Sequence, residues 1–308
     1  MNEVSRKILE QVNSVIIGKE AVTEKVLMAV LAQGHVLLED VPGVGKTTMA
    51  LAFARTLGLD SRRVQFTSDT MPSDIIGFSL YNKETGRFDY KSGAVMTNLL
   101  LADEINRTSS KTQSALLEAM EEYQVTVDGH TYPLPKPFVV LATQNPVGSA
   151  GTQLLPSSQL DRFMIRTTMG YPDRQSQVDI LRERHHENPL DRLQGVVTCE
   201  ELLELIESAK QVHIADAVYD YIVDLVDATR SSELVELGVS PRGALALCRM
   251  AKAHAFVRGG DFVTPEDVYQ VFDDVCAHRL VLSAKARLGK ITAREITEQL
   301  RQQVPVPQ

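Results

Sequence analysis

The stretch Val36-Leu37-Leu38-Glu39-Asp40-Val41-Pro42-Gly43-Val44-Gly45-Lys46-Thr47-Thr48 holds the residue types that grip phosphate groups. A short apolar strand runs into a loop with two glycines, and Thr47 to about Leu57 reads as a helix. The pattern G-x-x-x-x-G-K-[ST] is met at Gly45, Lys46 and Thr47. Asp40 stands where its first glycine belongs, and Gly43 supplies a second flexible point. Glycines let successive backbone N–H groups turn inward around an anion, and the following helix aims its positive dipole end at the same place. Lys46 would place a charge between the β- and γ-phosphates, and the Thr47 hydroxyl would hold Mg²⁺. Pro42, Gly43, Val44, Gly45 and Thr48 complete the expected nucleotide contacts.

The second chemical signal is Asn98-Leu99-Leu100-Leu101-Ala102-Asp103-Glu104, an apolar run closed by two acids. Such a run reads as a parallel strand buried on both faces. Ligands of open α/β sheets bind beyond the carboxyl ends of the strands, where the acids fall. There Asp103 would act on Mg²⁺ and Glu104 would polarise the attacking water. Asn106 and Arg107 follow at the same edge. A further buried strand, Phe138 to Thr143, ends in Gln144-Asn145-Pro146. The Asn145 amide could orient that water; taken without its context it reads as an Asx-turn residue.

These elements need a scaffold, and the chain of 308 residues is long enough for roughly two domains. Hydrophobic residues make up 44%, which excludes global disorder. A net charge of −8 argues against nucleic acid binding as the main function. Cys199, Cys248 and Cys276 are widely spaced without metal-ligand spacing and read as reduced core thiols of a cytoplasmic protein. No apolar run approaches the length of a membrane span, and residues 1–11 carry no apolar leader segment.

Helices are expected over residues 3–14 and 21–33, joined through Val15-Ile16-Ile17-Gly18, of which Ile17 and Gly18 are candidates to border the nucleotide base. A second strand is expected at Arg63–Thr67, then a hairpin near 78–92 around Asn82–Gly86. A helix at Thr112–Tyr123 leads to a second hairpin near 124–134, turned by Asp128-Gly129. The fifth strand starts near Ile165, and a helix opening at Tyr171–Arg174 runs to about Glu187. Asn188-Pro189 breaks it, so the chain divides into 1–188 and a helical 189–308. Arg242 sits in the first turn of a helix opened by Ser240-Pro241, against the dipole preference. This suggests an anionic partner, although a surface ion pair is the commoner cause. The tail 304–308 is expected to be disordered.

Taken together and in this order, the motifs resemble those of AAA+ ATPases, and among them the MoxR type. Residues 36–47 resemble Walker A, 99–107 resemble Walker B, and Ala142–Pro146 resembles sensor 1 with Asn145 as the sensor. Gln159–Phe163 resembles the arginine-finger segment, with the finger at Arg162. Ser240–Arg242 resembles sensor 2, with Arg242 as its arginine. The stretch 66–77 resembles the approach to a helix-2 insert, which would be the hairpin near 78–92, and the Asp128-Gly129 hairpin would be the pre-sensor-1 insert. The resemblance implies an α/β fold with a three-layer αβα core, a five-stranded parallel sheet and a helical lid. It implies ATP and Mg²⁺ as cofactors and a homo-oligomeric ring, usually a hexamer. It also implies chaperone-like remodelling, maturation or cofactor insertion in client proteins, often beside a von Willebrand factor A domain partner. A magnesium-chelatase-type motor subunit is a close variant. A nucleic-acid-acting helix-2-insert motor is the alternative, disfavoured by the charge and by an insert whose cations are Lys83, Arg87 and Lys91. A nucleotide-dependent scaffold would not need Glu104.

Overall fold

The computed structural model describes residues 1–40, 43–145, 155–183 and 189–307. Pro42, Pro146, the expected helix end at Glu187, the break at Asn188 and the last residue Gln308 lie outside the described residues.

The chain opens with α1 (Glu3–Asn13) and α2 (Glu20–Leu31), then β1 (Val36–Glu39), α3 (Lys46–Thr56) and β2 (Ser61–Gln65). A short α4 (Pro72–Ile76) leads into the hairpin β3 (Gly77–Asn82) and β4 (Arg87–Ser92). Next come β5 (Leu99–Asp103), α5 (Ser110–Glu122), the hairpin β6 (Gln124–Val127) and β7 (His130–Pro133), and β8 (Val139–Gln144). After α6 (Ser157–Leu160), β9 (Ile165–Thr167) and α7 (Arg174–Glu183) the chain is mainly helical. It passes through α8 (Cys199–Lys210), α9 (Asp216–Ser231), β10 (Val235–Leu237), α10 (Pro241–Arg258), α11 (Pro265–Cys276), β11 (Val281–Leu282), α12 (Ala284–Leu288) and α13 (Ala293–Gln303).

Five strands form one parallel sheet in the order β2-β5-β8-β1-β9. Alternation along β5 sorts its side chains to the two faces: Leu99 and Leu101 join one buried cluster, Leu100 and Ala102 the other. The first cluster takes in α1, α2 and α3 and continues without a break into α8, α9, α10 and α11. The second lies under α5. Helices on both faces of a parallel sheet make the three-layer α/β architecture expected from the motifs.

The second strand lies two residues earlier than Arg63–Thr67. It is a sheet edge whose residues are mostly exposed, so its charged arginines belong to the strand. The buried apolar residue Phe66 follows the strand and still donates its N–H to the Asp103 carbonyl, at 2.8 Å. In the second hairpin, Asp128 and Gly129 both take positive φ, 49° and 78°, as a two-residue primed turn requires. The two hairpins touch through stacked rings of Tyr90 and Tyr132, 4.0 Å between centroids. All three cysteines are free, but only Cys276 is a core residue; Cys199 and Cys248 are half-buried. No helix among the described residues is long and apolar enough to cross a membrane.

Candidate active site

The sheet order puts the ends of β5, β8 and β1 side by side, with β8 in the middle. Registers Glu39↔Gln144 and Ala102↔Ala142 align the three carboxyl ends. The phosphate-loop residues leave β1 on one side of β8, and Asp103 and Glu104 leave β5 on the other. The middle strand delivers Thr143, Gln144 and Asn145 between them.

Gly43 and Gly45 have φ of 89° and 98°, and a Cβ at Gly43 would meet nothing within 4 Å. Gly45 is the N-cap of α3, so the backbone N–H groups that open the helix lie at its positive dipole end. Val44 packs on the core from its edge. The Lys46 side chain is buried and donates to the Asp40 carbonyl oxygen at 2.8 Å. Burial lowers its pKa, against the pull of the Asp40, Asp103 and Glu104 carboxylates. Asp40, out of place in the motif, has a structural use here. It is buried, and its carboxylate accepts the N–H groups of Met169 and, at 3.2 Å, of Gly170. The start of the loop is thereby tied to the chain leaving β9.

Glu104 turns out of β5 with φ 57° and ψ 49°, a left-handed conformation uncommon for a side-chain-bearing residue. Its N–H donates to the Thr143 hydroxyl at 2.8 Å, and that hydroxyl donates to Asp103 Oδ1 at 2.6 Å. One threonine thus fixes both acids. The Glu104 carboxylate accepts from Asn145 Nδ2 at 3.1 Å and from Arg107 at 2.8 Å. Asn106 and Asn145 exchange side-chain and backbone hydrogen bonds of 3.3 and 3.4 Å, locking the sensor candidate. The Asn145 amide thus faces the Glu104 carboxylate. Arg63 on β2 pairs with Asp103 Oδ2 at 2.7 Å.

The residues suit a magnesium nucleotide. Thr47 and Asp103 offer hard oxygen donors. Among the described residues no group of three or more His, Cys, Asp or Glu could hold an ion by itself. Mg²⁺ bound through one carboxylate and phosphate oxygens needs no such group. Asn145 Oδ1 is buried beside Glu104 with no hydrogen-bond partner among the described residues.

Ile17 and Gly18 are half-buried, with Val15 and Ile16 beneath them in the core. Gly18, at φ 70°, lies so close to Ser176 of α7 that a Cβ would come within 2.2 Å of the hydroxyl. Only glycine lets these segments meet.

Arg162 and Arg242 are elsewhere. Met164, just before β9, donates its N–H to the carbonyl of His35, just before β1. Arg162 therefore lies toward the amino edge of the sheet, and Lys46 follows the carboxyl edge. Arg242 reaches that amino edge from α10, and both arginines bond Glu121 of α5. Asp161 joins the two segments: its carboxylate accepts from Ser240, the N-cap of α10, at 2.9 Å and from Arg279 at 2.7 Å. The buried Arg279 guanidinium also donates to the carbonyls of Phe163 and Met164, at 2.6 and 3.1 Å.

Sequence reasoning missed Thr143, Arg63, Glu121, Asp161 and Arg279. Arg63, Glu121 and Arg279 belong to no motif; Thr143 and Asp161 sit inside the sensor 1 and arginine-finger segments, where attention went to Asn145 and Arg162.

Comparison with known proteins settles the family. Residues 35–165 match the model of the ATPase family associated with various cellular activities, and residues 227–300 match the AAA lid domain. The chaperone MoxR1 of Mycobacterium tuberculosis is 40% identical, over 100% of this chain and 83% of that protein. The chain belongs to the MoxR-type AAA+ ATPases. Within that family it is also similar to YeaC of Bacillus subtilis, 46% identical over 98% of this chain and 94% of that one. A Cytophaga hutchinsonii crystal structure superimposes with a TM-score of 0.91 at 39% identity, covering 98% of this chain and 94% of its own. The five-stranded sheet with its flanking helices is thus a MoxR-type core carrying an AAA lid.

Proposed function

We propose that this chain hydrolyses ATP with Mg²⁺ as one member of a homo-oligomeric ring of six copies, and that the ring remodels client proteins. In this reading residues 1–188 form the motor core and 189–308 the lid, and the work is chaperone-like maturation of protein complexes in the cytoplasm, cofactor insertion included. A partner with a von Willebrand factor A domain would present the clients. The family supports the ATPase reading, and the chaperone name of the Mycobacterium relative supports the remodelling one.

The observation that carries the proposal is the Glu104–Asn145 pair at the edge where the loop presents Lys46. Bound Mg²⁺–ATP supplies the electrophilic γ-phosphoryl group. Lys46 and the amides at the start of α3 bind the phosphates, and Thr47 and Asp103 hold the ion. Glu104 takes the proton of the attacking water, with Asn145 fixing the carboxylate and offering Oδ1 as a second acceptor. Ile17 and Gly18 border the base. Arg162 and Arg242 lie toward the far edge of the sheet from Lys46, which supports their acting on the nucleotide of a neighbouring copy.

The test is Glu104→Gln. In ATP it should bind nucleotide, fail to turn over and retain client proteins in a pull-down that Lys46→Ala does not retain. Hydrolysis by Glu104→Gln at the parent rate would overturn the assignment.

A further inference from the structure

A cavity of about 140 Å³ opens at the amino edge of the sheet, lined among others by Glu121, Asp161, Arg162, Arg242, Arg249 and Arg279. Four guanidinium groups thus face two carboxylates. Asp161 is committed to Arg279 and Ser240. Glu121 serves both arginines assigned above to the neighbour's nucleotide, and Arg162 Nη1 also donates to the Ser158 carbonyl at 3.1 Å. Its Oε2 accepts from Arg162 Nε at 2.9 Å and its Oε1 accepts from Arg242. His35 adds no charge near neutrality: it is buried, its Nδ1 accepts the Val140 N–H at 3.0 Å, and its Nε2 lies 3.0 Å from the Met120 carbonyl.

We infer that Glu121 is a stand-in for phosphate, a positioning residue that holds Arg162 and Arg242 in the unassembled subunit and gives them up to the γ-phosphate of a neighbouring copy. The inference rests on the trans-acting reading of the two arginines. A carboxylate offers each guanidinium what a phosphate oxygen offers, a charged acceptor. Both exchanges keep the arginines paired. They differ in charge: the phosphate carries more than one negative charge, and the remaining Arg249 favours the more anionic occupant. The Glu121 side chain is about one-third exposed, and those of Arg162 and Arg242 are 28% and 42% exposed, so the ion pairs are weak enough to be replaced. Glu121 therefore competes with assembly: it keeps the fingers ordered, and it raises the concentration at which they engage a neighbour.

The experiment uses mixed rings. Full-length Arg162→Ala, which lacks only the finger, is titrated with Lys46→Ala, which lacks only its own phosphate grip, and phosphate release is measured. A second titration uses Lys46→Ala carrying Glu121→Gln, and a third Lys46→Ala carrying Glu121→Ala. The Glu121 variants should reach half-maximal recovery at about threefold to tenfold lower donor concentration in dilute salt, the combined weight of two partly exposed ion pairs. The gap should close at about 1 M salt, where charges are screened. Equal or higher half-maximal concentrations with both Glu121 variants would overturn the inference, because Glu121 would then be neutral or purely supportive. Failure of the plain Lys46→Ala donor to restore any activity would instead overturn the trans-acting reading itself.

Discussion

Asn145 Nδ2 donates to Glu104 Oε1 at 3.1 Å, across the ends of two strands that are not consecutive in the chain. The pair joins the carboxylate proposed to polarise the attacking water to a residue whose own Oδ1 has no partner among the described residues. Asn145→Ala should therefore keep nucleotide affinity and lower turnover, by about 10²-fold if positioning of the base is its whole contribution. Glu104→Gln should lose at least as much. Fluorescent-nucleotide binding and phosphate release, measured on the same samples, separate the two effects.

Lys46→Ala removes a buried ammonium between three carboxylates and the loop. Nucleotide should bind about tenfold to a hundredfold more weakly, the loss of one charge-assisted contact. Calorimetric titration gives the affinity directly; an unchanged value would mean that the loop grips phosphate through its amides alone.

Restoring the motif glycine tests the reading of Asp40. Asp40→Gly deletes the acceptor of the Met169 and Gly170 N–H groups. Stability should fall by about 1–3 kcal/mol, as for buried donors left unmade. Urea denaturation measures it, and a variant as stable as the parent would show that the tie to the chain after β9 contributes nothing.

Arg162→Ala should bind ATP normally and hydrolyse about 10³-fold more slowly. The parent's activity per subunit should rise with protein concentration, since the complete site needs a neighbour. Sedimentation alongside an ATPase dilution series checks this. A concentration-independent monomer with a fully active Arg162→Ala would contradict the ring mechanism.

Acid should weaken the fold through His35. Burial holds its pKa down to about 4, below the usual histidine value of 6.5, so the folded chain keeps the ring neutral where the unfolded chain protonates it. This contribution is fully present above about pH 6.5 and is lost as pH falls toward 4. Thermal unfolding between pH 7 and 4 should show a steeper loss for the parent than for His35→Gln, which cannot take up the proton.

The chemistry of the loop and of the Asp103–Glu104 strand end was legible in residue order alone. A glycine-rich turn between an apolar strand and a helix, and an apolar run closed by acids, are local patterns whose physics needs no distant partner. The two hairpins were legible too, because Asp128-Gly129 and the Asn82–Gly86 turn specify their own geometry. What lies beside what emerged only from the packed fold. That β8 runs between β1 and β5, so that Thr143 holds both acids, follows from a strand order that no local periodicity encodes. The edge strand β2 lies two residues from its expected place because an exposed edge lacks the continuous apolar run that marks a buried strand. Glu121 and Arg279 carry no motif, and Asp161 has no named part in the arginine-finger segment; all three acquire meaning only when α5, α10 and the segment before β9 converge. Ion pairs over such separations are set by packing of the two apolar faces of the sheet, and the sequence records that packing only as a sum over many weak contacts.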